Sequence, residues 1–273
     1  MQYVEAHGAR IPAIGFGTMT LKDSVGVEMT AAALRAGYRH LDTAQMYGNE
    51  REVGEGLRAS GVKREDVFIT TKVWWDKLQA GDFEKSVEES LERLQLPAVD
   101  LLLAHWPGKV PVAESVAGLN KAKRAGLTRH IGVANFTIPH IEEAVRVTKE
   151  PLVTNQIEVH PFIDQSKVIA TCRRHGLSVT AYCPIWRGKA QGNDVLERIA
   201  KTHGKTAAQV SLRYLVQQGI IPIPRTSKPE RLKENLDVFD FTLSDSEMAE
   251  IGKLKRPDGR VVSPPHAPQC DAA

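Results

Sequence analysis

Four polar residues stand at the ends of short, apolar, β-branched runs in this 273-residue sequence. Asp42, Lys72 and His105 end three such runs, and Asn135 follows a fourth. A solvated strand end or a helix cap would explain any one of them alone. Four consecutive runs that end in titratable or amide groups favour a shared site for proton transfer. Within it, Asp42 could hold the Lys72 ammonium by a charge-assisted hydrogen bond.

Tyr47, in the segment after the first of these runs, is a further candidate. Asn49 and Glu52 have the spacing of a capping box, which predicts a helix from about Glu50 and leaves Tyr47 in the preceding loop. Its phenol could donate a proton, because a neighbouring ammonium such as Lys72 would lower its pKa from the ordinary value of about 10. The alternative is a loop anchor whose ring packs and whose hydroxyl is wet.

The runs that carry these residues alternate with stretches of 3.6-residue periodicity, which is typical of repeated β-α units. The predicted strands are 14–18, 39–42, 67–72, 99–105, 130–134, 153–158, 178–182 and 220–222. This order predicts an α/β fold, a (β/α)8 TIM barrel, whose active site lies at the carboxyl ends of the strands. In the helix predicted at 82–95, an apolar stripe is formed by Phe83, Val87, Leu91 and Leu94.

Two segments lie outside the β-α repeat. Extended pieces around His7 and Gly8 predict an N-terminal β-hairpin that closes the bottom of the barrel. After Arg256 the chain is rich in Pro and Gly and lacks periodicity, so we expect an irregular C-terminal tail that lies over the body. Because no other stretch has the composition of a linker, residues 1–273 are predicted to form a single domain.

Composition narrows the function classes. The formal net charge of +3 comes from 36 basic and 33 acidic residues spread along the chain, so no basic track favours nucleic acid. No apolar run reaches the ~18 residues of a membrane span, and no apolar signal core begins the chain. We therefore expect a soluble cytoplasmic protein. Cys172, Cys183 and Cys270 lack a CxxC spacing, which argues against a disulfide framework or a thiolate zinc site.

Asp42, Tyr47, Lys72 and His105, in this order, resemble the catalytic tetrad of the aldo-keto reductases. The resemblance covers nearly the whole chain, through IPAIGFGT, LDTAQMYGNEREVGEGL, ITTKVW, DLLLAHWP, GLTRHIGVANF, TNQIEVHP, TAYCP and IPRTSKPERLKEN. GLTRHIGVANFTIP, RGKA and VVSP are most similar to the bacterial 2,5-diketo-D-gluconate reductase B group, whose members also reduce methylglyoxal. The resemblance implies NADPH as cofactor, a small-molecule carbonyl substrate and, as is frequent in the family, a monomer.

The resemblance also implies where the nicotinamide is held. Asn135 and Gln156 would contact its carboxamide, and Tyr182 would stack on its ring, although a buried tyrosine that packs in the barrel mouth is an alternative. Ala134 stands where the family commonly has a serine, so one hydroxyl contact is missing.

The resemblance implies a fold that binds NADPH without a Rossmann motif, and the sequence agrees because it has no GxGxxG between a predicted strand and a predicted helix. Gly54 and Gly56 lie in a predicted helix and favour close helix packing instead. Phosphate capture is predicted in IPRTSKPERLKEN, where Ser227 and Glu230 have capping-box spacing. The alternative is a solvated basic turn. By the resemblance, the 2′-phosphate is bound by Arg225, Thr226 and Arg231, and the adenine by Glu234 and Asn235.

At the substrate end, we expect a neutral His105 to orient the carbonyl while Tyr47 donates the proton. Trp74 and Trp106 would wall the pocket with apolar surface that excludes water. The short loop after His105 and the small Gly48 predict an open pocket, suited to keto-sugar acids or 2-oxoaldehydes.

Two other functions compete with this interpretation. A metal-dependent barrel hydrolase could use Asp42, His105 and His160, but the first predicted strand ends in GFGTMT without the paired histidines common in such sites. We therefore predict no metal. A cofactor-binding module without catalysis is the second alternative, and the complete tetrad argues against it.

Overall fold

A computed structural model describes residues 2–269 of the chain. They begin with the predicted hairpin, in which β1 (Tyr3–Ala6) pairs antiparallel with β2 (Ala9–Pro12). His7 and Gly8 form its two-residue turn with positive φ angles of 47° and 82°, as hairpin turns of this type require. Ile11 is fully buried and clusters with Leu101 and Val153 of the main sheet. The hairpin therefore closes one end of the sheet's interior.

Within residues 2–269, the largest sheet has eight parallel strands, which pair in the order in which they occur in the sequence. Its strands are β3 (Phe16–Gly17), β4 (His40–Asp42), β5 (Phe68–Val73), β6 (Val99–Ala104), β7 (Thr128–Ala134), β8 (Leu152–Glu158), β9 (Ser178–Tyr182) and β10 (Ile221–Pro222). Two backbone hydrogen bonds join the chain at β3 to the chain at β10, from Gly15 N, just before β3, to Pro222 O at 2.9 Å and from Gly17 N to Pro224 O, just after β10, at 3.0 Å. This arrangement is consistent with the predicted barrel.

The strand predictions are confirmed to within two residues at every end. Every residue of β6 and β8 is buried, as expected for strands covered on one face by the sheet's interior and on the other by helices.

The helices follow the strands along the chain, as the alternating pattern predicts. They are α1 (Asp23–Ala36), α2 (Glu50–Ser60), α3 (Asp82–Leu94), α4 (Val112–Arg124), α5 (Ile138–Val147), α6 (Ser166–Arg174), α7 (Asp194–His203), α8 (Ala207–Val216), α9 (Glu230–Leu236) and α10 (Asp245–Ile251). All four residues of the apolar stripe predicted in α3 are buried. Helix α2 lies close to both neighbours, because a Cβ at Gly54 would stand 2.2 Å from Leu94 O and one at Gly56 would stand 2.5 Å from Thr30 Cβ.

After α10 and a short 3₁₀ turn at Gly252–Leu254, residues 255–269 are irregular, as predicted for the tail. The prediction for Cys270 lies outside the described residues. Among residues 2–269, no helix is both long and apolar enough to cross a bilayer.

Candidate active site

The polar residues predicted at the strand ends do meet at one edge of the sheet. Asp42 ends β4, Lys72 is the penultimate residue of β5, and His105 and Asn135 directly follow β6 and β7. Because neighbouring parallel strands place their carboxyl ends side by side, these four groups lie along a single edge, which we call the carboxyl edge.

A buried ion pair forms the centre of this edge. Lys72 Nζ donates to Asp42 Oδ1 at 2.6 Å and to Thr43 O at 2.8 Å, and it lies 3.3 Å from Tyr47 Oη. The Lys72 and Asp42 side chains are 0% and 1% exposed. The second carboxylate oxygen of Asp42 accepts from Gln156 Nε2 at 2.7 Å. The structure thus joins Asp42, Lys72 and Tyr47 in one hydrogen-bonded chain that ends at a phenol.

The protonation of Tyr47 differs from the expectation. Burial raises the pKa of the Tyr47 phenol well above its ordinary value, and the negative charge of Asp42 adds to this effect. Burial also lowers the pKa of Lys72, although Asp42 opposes it. The prediction that Lys72 lowers the pKa of Tyr47 is therefore wrong, because loss of solvent outweighs the neighbouring ammonium. Tyr47 carries its proton at neutral pH, which is the state that a proton donor needs.

Asn49 holds the loop that carries Tyr47, but not as predicted. Helix α2 begins at Glu50 as expected, with Asn49 at the N-cap position, yet the Asn49 side chain makes no capping bond. It accepts from Thr43 Oγ1 at 2.9 Å and donates to the carbonyls of Thr18 and Leu21 at 2.7 and 2.8 Å. The capping-box prediction is wrong because Asn49 is buried between two loops, where these three partners satisfy it.

The imidazole of His105 is neutral and lies beside the ring of Tyr47. Burial, reinforced by the positive charge of Lys72, lowers the pKa of His105 well below its ordinary value. The imidazole packs edge-on against the rings of Tyr47 and Trp74, with centroids 5.8 and 5.0 Å apart. A neutral imidazole at this place agrees with the expectation from the sequence and can donate or accept one hydrogen bond at each nitrogen.

The aromatic wall contains a residue that the sequence did not reveal. His266 of the tail packs against Trp74, Trp75 and Trp106, with ring centroids 5.2, 5.0 and 5.4 Å apart. The predicted pocket residues Trp74 and Trp106 are thus brought together through the tail. No local signal marks His266, because it stands in an aperiodic segment far along the chain.

The three residues predicted to hold a nicotinamide lie along the carboxyl edge. Asn135 Nδ2 donates to His105 O at 2.9 Å, and Tyr182 Oη donates to Asn135 Oδ1 at 2.7 Å. Burial, followed by the charge of Glu158, raises the pKa of Tyr182 well above its ordinary value, so its hydroxyl stays a donor. Of these three residues, Gln156 bonds to the ion pair through Asp42, whereas Asn135 and Tyr182 bond to each other and to the backbone of His105.

Arg225, the first of the predicted phosphate residues, lies after β10 and next to the loop after β3. The Arg225 guanidinium donates to Thr20 Oγ1 at 2.6 Å and to Met19 O at 3.2 Å. The predicted capping role of Ser227 is wrong: α9 begins at Glu230 with Pro229 at its N-cap position, and Thr226 Oγ1 instead accepts from Lys228 N at 3.0 Å.

The other predicted residues of this segment lie on α9. Glu234 Oε1 accepts from Thr206 Oγ1 at 3.0 Å, Asn235 is buried, and Arg231 lies in the helix's first turn.

The residues of the rival metal site are not assembled around a common point. His160 Nε2 lies 3.0 Å from Glu158 Oε1, and His160 Nδ1 accepts from Phe162 N. Within residues 2–269, no group of three or more His, Cys, Asp or Glu side chains is arranged to hold a metal ion.

Comparison with known proteins identifies the family. The Aldo/keto reductase family model matches residues 13–256. The chain is 42% identical to methylglyoxal reductase DkgB of Escherichia coli O157:H7, over 96% of this chain and 99% of that protein. It is 40% identical to glyoxal reductase of Bacillus subtilis (strain 168), over 93% and 92% of the two chains.

Solved structures agree with the sequence matches. A protein provisionally described as a 2,5-diketo-D-gluconic acid reductase B superimposes with a TM-score of 0.98 at 48% identity, over 100% of this chain and 98% of that chain. The aldose reductase of Schistosoma japonicum superimposes with a TM-score of 0.91 at 34% identity, over 94% of each chain. The chain therefore belongs to the aldo/keto reductase family.

Proposed function

We propose that this protein catalyses the NADPH-dependent reduction of small polar aldehydes and ketones, such as methylglyoxal or 2,5-diketo-D-gluconate, to alcohols. The observation that carries the proposal is the buried chain from Asp42 through Lys72 to the protonated phenol of Tyr47, with neutral His105 beside it. The names of the relatives, which include methylglyoxal, glyoxal and 2,5-diketo-D-gluconic acid reductases, support carbonyl compounds as substrates.

The residues present fit a nicotinamide dinucleotide. Two amides and a phenol ring at the carboxyl edge, those of Asn135, Gln156 and Tyr182, suit a planar ring with a carboxamide. At the other end, two guanidiniums and a hydroxyl suit a 2′-phosphate, which favours NADPH over NADH. These groups belong to Arg225, Thr226 and Arg231, and the adenine would lie near Glu234 and Asn235. When bound, the dinucleotide supplies the hydride.

The protein's own part is to protonate and to orient. Tyr47 donates its proton to the carbonyl oxygen as negative charge develops there. The phenolate that remains lies 3.3 Å from the Lys72 ammonium, which Asp42 holds in place, so the new charge is stabilised by a buried and positioned cation. His105 orients the carbonyl by a hydrogen bond, and the rings of Trp74 and Trp106 exclude water from the site.

We further propose that residues 1–273 act as one domain, as a monomer and in the cytoplasm. The family match over residues 13–256 and an alignment that covers 96% of this chain and 99% of its relative support the single domain, and the monomer is what the resemblance to the family implies.

The test is NADPH oxidation by the purified protein, followed at 340 nm with methylglyoxal and with 2,5-diketo-D-gluconate. Tyr47→Phe should lower kcat by at least about 100-fold, because it removes the proton donor, while NADPH still binds. Tyr3→Phe is the matched control, since Tyr3 is 39% exposed in β1 and should keep full activity.

Activity that survives Tyr47→Phe would contradict the assigned proton donor. NADPH binding without turnover of either carbonyl would favour the non-catalytic binding module. If NADPH fails to bind at all, the cofactor assignment is wrong.

A further inference from the structure

Arg225 connects the segment after β10 with the loop after β3. Its Nη2 donates to Thr20 Oγ1 at 2.6 Å and its Nε donates to Met19 O at 3.2 Å. The two segments also lie close together at the backbone, because a Cβ at Gly17 would stand 3.6 Å from Arg225 Cβ. We call the two side-chain hydrogen bonds the Arg225 clasp.

The loop that accepts the clasp is held in place. Asn49, which is buried, donates to the carbonyls of Thr18 and Leu21, on either side of the clasp. Thr20, between them, has a φ of 69°, which a β-branched residue rarely adopts. Strain of this kind persists only where the surrounding structure fixes the backbone, and it is frequent where ligands bind. The Thr20 hydroxyl is therefore an acceptor with a defined position.

The clasp uses only part of the Arg225 guanidinium. An arginine carries five N–H donors in one plane, and the clasp engages one on Nε and one on Nη2. In the described part of the chain, Nη1 makes no hydrogen bond and the side chain forms no ion pair. Both acceptors of the clasp are neutral, so the positive charge and the Nη1 edge are left for an anion.

We propose that Thr20 is a positioning residue for the selection of NADPH over NADH. It holds the Arg225 guanidinium so that the Nη1 edge receives the adenosine 2′-phosphate. The inference rests on the proposed function, in which Arg225 contacts that phosphate. A mobile arginine loses side-chain freedom when an anion binds, whereas an arginine that is already held loses little. Since NADH lacks the 2′-phosphate, the clasp should favour NADPH alone.

The experiment measures the Kd of NADPH and of NADH by quenching of tryptophan fluorescence, for wild type, Thr20→Ala and Thr20→Ser. Thr20→Ala should raise the Kd of NADPH about fivefold, because the cost of ordering Arg225 then falls on the binding step. It should change the Kd of NADH less than about twofold, because NADH has no 2′-phosphate. Thr20→Ser keeps the hydroxyl, so both Kd values should stay within about twofold of wild type.

A second pair of variants shows whether Thr20 acts through Arg225. In the Arg225→Gln background, Thr20→Ala should leave the Kd of NADPH unchanged, because the group that Thr20 positions is absent. A purely structural role of Thr20 would give the same loss in both backgrounds and would overturn the inference.

Thr242→Ala is the matched control. Thr242 Oγ1 also accepts from an arginine, from Arg213 Nη2 at 3.2 Å, but neither residue belongs to the predicted cofactor site. This variant should leave both Kd values as in wild type.

Three results for Thr20→Ala would overturn the inference and leave the reductase function standing. Equal losses for NADPH and NADH would mean that the guanidinium serves the pyrophosphate, which both dinucleotides share. Tighter binding of NADPH would mean that the clasp competes with the phosphate, and unchanged binding would mean that the clasp does not matter. If wild type binds neither dinucleotide, the proposed function loses its cofactor, and the inference fails with it.

Discussion

Breaking the ion pair between Asp42 and Lys72 should destabilise the fold more than removing both charges. The pair is 2.6 Å long and its side chains are 0% and 1% exposed, so either group left alone is a charge without solvent. We expect Asp42→Asn and Lys72→Met each to lower the free energy of unfolding by about 3–5 kcal/mol. The double variant should lose less free energy of unfolding than either single variant, because it leaves no uncompensated charge.

Urea unfolding followed by circular dichroism at pH 7 measures these free energies. Glu84→Gln serves as the control, since Glu84 pairs with Lys121, whose side chain is 70% exposed, and the expected loss is below about 1 kcal/mol. Strict additivity of the two single variants, or a loss below about 1 kcal/mol for either, would refute the view that the pair is buried and coupled. All variants of the pair should also lose turnover, because Lys72→Met removes the ammonium that would stabilise the Tyr47 phenolate and Asp42→Asn removes the carboxylate that holds that ammonium in place.

Two further predictions concern the fold. His40 is 1% exposed, and burial lowers its pKa to about 4. As the pH falls, the His40 side chain of the unfolded chain therefore takes up a proton first, at about pH 6.5, and the folded state loses stability below that pH. In urea unfolding, the free energy of unfolding of wild type should fall by about 2 kcal/mol more than that of His40→Gln between pH 7 and pH 5. Gly54→Ala should lower the melting temperature by several degrees, because its Cβ would meet Leu94 O at 2.2 Å, whereas Arg58→Ala, exposed on the same helix, should leave it nearly unchanged. An unchanged melting temperature for Gly54→Ala, or equal pH sensitivity of His40→Gln and wild type, would contradict these packing and titration arguments.

Hydrophobic periodicity is sufficient to predict the elements and the place of the site. The strands are short, apolar and buried on both faces, so their periodicity is visible in the sequence, and parallel pairing then brings their ends together. For this reason the amino-acid sequence alone places Asp42, Lys72 and His105 in one site. That prediction needs only the local pattern and the geometry common to parallel sheets.

The two wrong capping predictions concern competition between local partners and tertiary ones. Asn49 has the local spacing of a cap, but burial offers it Thr43, Thr18 and Leu21 instead. Ser227 likewise has capping spacing, but α9 starts only after Pro229. A capping pattern in the sequence describes one option for a side chain, and the fold decides which option is taken.

The tail shows the same limit at a longer range. Glu158 is recognisable in the sequence as a polar residue at a strand end, yet its partners are the amides of Val261 and Val262, more than one hundred positions later. A backbone amide carries no signal of its own in a sequence, so neither this clamp nor the insertion of His266 among the tryptophans could be anticipated. The polar residues at the strand ends therefore have a local pattern that is visible in the sequence, whereas the contacts of the tail with the carboxyl edge are visible only in the folded chain.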